Sequence, residues 1–158
     1  MFRARTCMTI LGMATALTAA PVAAQSQKKL PYWVAISKDE ALMRVGPSMD
    51  YPANWKYRRR NLPVKVVELY PNWRRIEDSK GTRGWMHVRL LKEERTAIVT
   101  ADMVEMHEDA SEGSRTLFRA EKGVVGKLSD CGDGWCRLDV NGQRGYAPIA
   151  SLWGATGD

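Results

Sequence analysis

Histidine and cysteine are scarce in this chain. Its 158 residues hold two histidines, His87 and His107, and three cysteines. A structural zinc site takes about four nitrogen or sulfur ligands, and no such set stands at a recognisable spacing. A nucleophilic cysteine or serine needs a base and an orienting third group within reach, and neither histidine sits in such an arrangement. Glu77 and Asp78 are adjacent, and neighbours on a strand point to opposite faces, so they lead into a turn rather than perform acid–base work. No enzyme, metal or cofactor is therefore expected. Long helical periodicity is also missing, and the length excludes a (β/α)₈ barrel of roughly 250 residues. What remains is a globular composition, 44% hydrophobic and 27% charged.

The one long apolar run lies at the N-terminus. Arg3 and Arg5 precede an uncharged stretch at 7–20, Pro21 ends it, and Val22-Ala23-Ala24 supplies small residues. This is the pattern of a secretory signal, too short to span a bilayer comfortably. Residues 1–24 are expected to be removed before Gln25, giving an exported protein, periplasmic or secreted, that does not span the membrane. Cys7 lies ahead of the apolar core, not at the cleavage site, so lipidation is not expected. Only Cys131 and Cys136 then remain, and an even count in an oxidising compartment favours a disulfide. They flank Gly132-Asp133-Gly134-Trp135, which reads as a hairpin tip. Opposed strand residues have Cβ atoms about 5 Å apart, near bonding range.

Charge is split along the chain. Residues 31–91 carry 12 basic and 6 acidic side chains; residues 92–158 carry 8 and 12. The densest basic run is Arg58-Arg59-Arg60. Export and the acidic second half argue against nucleic acid as a partner. Part of the basic half is expected to face acids of the second half such as Glu105, Glu108, Asp109 and Glu112.

An internal repeat explains the split. Placing Trp73 over Trp135, an offset of 62, sets Ala35-Ile36 on Ala97-Ile98, Leu42 on Val104, Val66 on Leu128 and Ile76 on Leu138. After one deletion Gly81-Thr82-Arg83-Gly84-Trp85 lies over Gly142-Gln143-Arg144-Gly145-Tyr146. The organisation expected is a tail at 25–31, a domain at 32–91, a linker at 92–95, a second domain at 96–154 and a tail at 155–158. Each copy reads as short strands punctuated by glycine and proline. The first has strands at 32–36, 41–45, 64–69, 73–76 and 84–88. The second has them at 97–100, 103–107, 116–119, 124–128, 135–140 and 145–149, with Asn141-Gly142 as a hairpin turn. Short turns are expected at 87–91 and 148–152. Trp55, Trp85 and Tyr146 are assigned to the core. Five or six short strands in about 60 residues make a small barrel.

Here the sequence resembles a known family. Ala41-Leu42-Met43-Arg44-Val45-Gly46-Pro47-Ser48, followed by Tyr51-Pro52, resembles the opening of the bacterial SH3-like (SH3b) domain. Leu62-Pro63-Val64-Lys65-Val66, Asn72-Trp73-Arg74-Arg75-Ile76 and Gly81-x-x-Gly84-Trp85-Met86 resemble its later motifs. The second copy keeps Gly134-Trp135-Cys136-Arg137-Leu138 and Gly142-x-x-Gly145-Tyr146. The resemblance implies an all-β chain of two tandem small SH3-like β-barrels. It also implies a non-catalytic binding module of the cell envelope, recognising peptidoglycan or an envelope protein. The other reading is an accessory subunit whose packed barrels present a composite surface. The aromatic plate on which eukaryotic SH3 domains hold proline-rich helices would draw on Met43, Val45 and Leu90 or Ser151, where tyrosines are usual, so proline-rich recognition is not expected. Trp73 and Trp135 match the groove tryptophan and either line a groove or pack the barrel. The ligand surface is expected on the first copy, between the loop at 46–53 and the turn before Trp73. Tyr51 and Trp73 would form its floor and Arg58, Arg59 and Arg60 its basic flank, suiting an anionic glycan or an acidic peptide segment.

Overall fold

The computed structural model describes residues 28–156, so the expected signal peptide and its cleavage site lie outside the described residues. The first half forms β1 (Tyr32–Ile36), β2 (Ala41–Arg44), β3 (Ala53–Tyr57), β4 (Pro63–Tyr70), β5 (Trp73–Glu77), β6 (Arg83–His87) and β7 (Leu91–Lys92). The second repeats this as β8 (Thr96–Val99), β9 (Met103–His107), β10 (Thr116–Glu121), β11 (Val125–Gly132), β12 (Trp135–Val140), β13 (Gln143–Pro148) and β14 (Leu152–Trp153). A single 3₁₀ turn precedes the last strand of each half, at Val88–Leu90 and Ile149–Ser151. The sheet orders are β3-β2-β6-β5-β4-β1-β7 and β10-β9-β13-β12-β11-β8-β14, the same topology twice. These are two tandem SH3-like barrels. The long strand of each half makes the closure possible. β4 pairs β1 through its first half and β5 from Lys65 onward, with a register shift between Val66 and Glu68 on the β5 side. β11 likewise bridges β8 and β12, its register shift lying between Ser129 and Gly132. Such a bulge bends a strand and lets one sheet curl into a barrel.

Each barrel has its own core. Ile36, Met43, Val64, Val66, Ile76 and Met86 are fully buried in the first, and Val99, Met106, Cys136 and Leu138 centre the second. The hairpin tips follow the turn chemistry. Asp133 and Gly134 both have positive φ between the paired residues Gly132 and Trp135, as do Asn141 and Gly142 between Val140 and Gln143. Both are two-residue turns whose twist suits the flanking strands. Cys131 and Cys136 are bonded across the first of them.

Several expectations need correction. The first copy holds a strand that its sequence pattern does not predict, Ala53–Tyr57, and Trp55, expected in the core, lies on it. Trp55 is 45% exposed, and Tyr57 is the buried residue of that strand. Trp85 and Tyr146 are half-buried on the outer face, because Gly84 and Met86, and Gly145 and Ala147, take the inward positions. The gapless offset is one residue out over the first two strands. Ile36 pairs Leu91 as Val99 pairs Leu152, so Ile36 corresponds to Val99. Arg44 pairs Trp85 as His107 pairs Tyr146, so Met43 corresponds to Met106 and Leu42 to Glu105. A slip of one on a strand exchanges its faces, so the correction changes which side chains are compared on the surface.

The barrels dock through two tryptophans that the repeat does not share. Trp33 of β1 meets Trp153 of β14 edge to face, with ring centres 5.1 Å apart. The Lys65 ammonium lies 5.3 Å from one ring centre and 4.7 Å from the other. The Trp33 indole donates to the Thr156 carbonyl at 2.8 Å, and the Arg59 guanidinium donates to the Gly123 carbonyl at 2.7 Å. Thr96 alternates with the core residue Ala97, which turns it away from its own core, yet it is 1% exposed. Gly154, at φ +102°, lets the chain pass here: a Cβ would lie 2.9 Å from the Pro63 Cβ. Lys127 and Lys92 hold the Glu94 carboxyl below the usual range and anchor the short connection between the barrels. The acids expected to face the first barrel do not carry this joint. Glu105 pairs with Arg119 and Glu108 with Arg115, both cross-strand neighbours, and Asp109 accepts from Ser114. A partner one strand away is ordered at lower entropic cost than one on another barrel.

Candidate binding face of the first barrel

Strand alternation builds the face. In β2, Ala41 and Met43 point into the core, so Leu42 and Arg44 point out. Across β3, Lys56 is in register with Leu42. Across the sheet, Trp85 stands between Arg44 of β2 and Arg75 of β5, and His87 pairs with Trp73. Beside them lies a groove of about 310 Å³. Leu42, Met49, Leu90 and Trp73 supply its apolar lining, and Glu40, Lys56, Arg44 and His87 its polar edge.

Trp73 is a packing residue at the base of this groove. It is 7% exposed, with the His87 ring edge-on at 5.1 Å. Burial and the neighbouring Arg89 hold the His87 imidazole below its usual pKa, and its Nδ1 accepts from the Arg89 backbone N–H. The exposed apolar surface comes from Leu42, 38% exposed, and Met49, 62% exposed. Met49 is displayed by a pinned loop. The Tyr51 ring lies on Gly46, where an added Cβ would sit 2.5 Å from the ring. The Tyr51 carbonyl accepts from Arg44 at 2.6 Å, and the Val45 N–H donates to the Pro52 carbonyl. Tyr51 thus shapes the loop and does not line the groove.

The basic run divides three ways. Arg60 makes a two-pronged pair with Asp39 at 2.8 and 2.9 Å. Arg59 crosses to the second barrel. Arg58 is exposed and close enough to Glu40 to help Lys56 hold that carboxyl below its usual range. The cations lining the groove are Arg44 and Lys56, with Arg58 near Glu40 and Arg89 near His87. Met43 of the expected plate is buried core, and Val45 is 52% exposed outside the groove. The sequence reading missed Leu42 and Met49. Leu42 was within reach, since it lies between two inward residues of a four-residue strand.

The second barrel carries different chemistry on the same face. Glu105 stands where Leu42 stands, and Arg119, in register with it, matches Lys56. The two form an ion pair at 2.8 Å, which with Thr116 holds the Glu105 carboxyl low. His107 replaces Arg44 and packs edge-on against Trp135 at 5.5 Å. Pro148 replaces His87, and Ser151 replaces Leu90. The first barrel has apolar Leu42 at this position and pairs Lys56 with Glu40 instead, while the second fills the position with the ion pair itself.

A sequence profile of the bacterial SH3 domain matches residues 37–93 and again residues 100–154. The chain belongs to the bacterial SH3 domain family. Bacterial SH3 domains are binding modules, and this chain holds two. No curated protein matches the chain. Among solved structures it is similar to NlpC1 from Trichomonas vaginalis, with 13% identity and a TM-score of 0.34 over 82% of this chain and 48% of that one. NlpC2 from the same organism gives 11% and 0.34 over 80% and 49%. The chain spans about half the length of these structures. Among the described residues no helix is long and apolar enough to cross a membrane.

Proposed function

We propose that this protein is an exported, non-catalytic binding module of the bacterial cell envelope that holds cell-wall material or an envelope protein on the outer face of its first barrel. One observation carries the reading: the repeat places an open apolar groove with a cationic edge on one barrel and a self-paired Glu105–Arg119 surface on the other. Leu42 and Met49 line one groove together with Leu90, and an apolar patch rimmed by polar residues is the kind of surface that marks an interaction site. The leader-like N-terminus and the bonded cysteine pair support export. The second barrel, stapled at its β11–β12 hairpin and docked through Trp153, serves as a rigid mount. That docking also supports the accessory-subunit reading, in which both barrels contact one partner.

Co-sedimentation with purified cell-wall sacculi tests the proposal. The protein is expected in the pellet, and Leu42→Glu, which writes the second barrel's residue into the first, is expected in the supernatant while still folded. Retention of both would place the contact elsewhere.

A further inference from the structure

We infer that the occupant of the first barrel's groove is a short, extended acidic peptide segment with an aliphatic side chain, and not a bare glycan. The inference rests on the reading of this face as the binding site and adds the chemistry of the ligand.

The lining is wrong for sugar rings. A pyranose is held by lying flat on an open aromatic face. Trp73 offers none, being 7% exposed with His87 edge-on against it. The open surface is aliphatic and adaptable. Leu42 and Met49 are the exposed groups, and the unbranched thioether of methionine reshapes to fit irregular apolar side chains. The groove's volume of about 310 Å³ is at the small end of ligand sites. It takes one or two side chains, not a row of sugar rings.

The edge asks for a carboxylate. Glu40 is the one acid lining the groove, and Lys56 holds it at 2.8 Å. Arg58 and Arg89 act electrostatically on Glu40 and His87 at the same edge. Arg44 lends one N–H to the Tyr51 carbonyl, and its guanidinium has no carboxylate partner among the described residues. The second barrel shows what this arrangement accepts. At the position of Leu42 it supplies its own carboxylate, Glu105, and holds it on Arg119, the counterpart of Lys56. On the first barrel Lys56 takes Glu40 from the neighbouring turn, and Arg44, Arg58 and Arg89 have no salt-bridge partner among the described residues, so a carboxylate for them comes from outside. Charge-assisted contacts of guanidinium to carboxylate are the stronger class of hydrogen bond, so this edge selects by charge while the lining selects by shape.

The test is an amide-shift titration of the isotope-labelled protein with three probes. These are a capped peptide of alternating leucine and glutamate, the same peptide with lysine for glutamate, and an N-acetylglucosamine oligomer. The leucine–glutamate peptide is expected to move amides of β2, β6 and the Met49 loop. The lysine peptide is expected to move none of them. Arg58→Gln is expected to weaken the leucine–glutamate peptide about tenfold, the effect of losing one charged contact. Arg58 is exposed, so this variant keeps the fold. Movement of the same amides by the glycan and not by the acidic peptide would overturn the ligand class and leave the face standing as the site. Equal effects of the acidic and basic peptides would overturn the charge argument. If no probe moves these amides while Leu42→Glu still sediments with sacculi, the face itself is wrong.

Discussion

Replacing Trp33 by alanine removes three contacts that hold the barrels together. The edge-to-face pair with Trp153 is worth about 1 kcal/mol beyond its buried area. The Lys65 ammonium between the two rings adds about 1 kcal/mol, and the indole hydrogen bond to the Thr156 carbonyl about 1 kcal/mol more. The loss of about 3 kcal/mol is a large part of the roughly 5–15 kcal/mol that holds an ordinary domain folded. For a unit of this size a kilocalorie shifts the midpoint by about 4 °C, so Trp33→Ala should melt about 12 °C lower. Calorimetry should show one transition for the parent protein, because the barrels unfold together. It should show two for the variant, as the barrels uncouple. Trp33→Phe keeps a ring against Trp153 and loses the hydrogen bond, so it should lie between. A Trp33→Ala midpoint within about 2 °C of the parent, with a single transition, would refute the joint as described.

Other consequences follow from single features. Thiol titration of the unfolded, unreduced protein should find no free thiol at Cys131 and Cys136, and replacing both with serine should cost about 2 kcal/mol, since the closed loop is short. Trp73→Ala should lower stability by about 3 kcal/mol or more, because Trp73 is packed at 7% exposure; a stable variant in a denaturant titration would mean that the indole is not structural. Gly84→Ala should destabilise by about 1–3 kcal/mol, since its Cβ would meet the Met43 Cγ at 2.6 Å and the Arg44 carbonyl at 2.9 Å. Burial and the Asp78 carboxylate, which accepts the phenol proton at 3.0 Å, hold Tyr57 protonated well above the usual tyrosine range. A raised pKa in the fold stabilises it below the ordinary value of about 10 and loses that contribution as pH rises past it. Tyr57→Phe should therefore flatten the alkaline limb of the stability curve, and an unchanged slope would contradict the assignment.

The strands and the duplication were legible because glycine-flanked apolar runs and hairpin dipeptides are local signals. Asn141-Gly142 specifies its turn with no help from the rest of the chain. Register was not legible over the first two strands, where Ala35 and Ile36 are both buried and a slip of one leaves the letters nearly as well matched. That slip hid the exchange of Leu42 for Glu105, the difference that separates the two faces. The strand Ala53–Tyr57 was hidden by its exposure: four of its five side chains face solvent, so it shows no apolar alternation. Tyr51 and the arginine run stand out by residue type, whereas their roles depend on which partners the fold brings to them. Arg59 reaches Gly123, Arg60 reaches Asp39, and the Tyr51 ring is spent on Gly46. Trp33 and Trp153 left one trace, since the repeat sets Thr96 and Lys92 against them. Large aromatics that a repeat does not share belong to what the two copies do to each other.

The most direct test of the account compares Leu42→Glu with Trp135→Ala for retention on purified cell-wall sacculi. The first changes only the exposed face of the first barrel, and the second removes the matching tryptophan of the second. The account predicts that Leu42→Glu is lost to the supernatant with an unchanged melting midpoint, while Trp135→Ala stays bound. Retention of Leu42→Glu, or loss of Trp135→Ala to the same degree while it remains folded, would contradict the placement of the binding face on the first barrel.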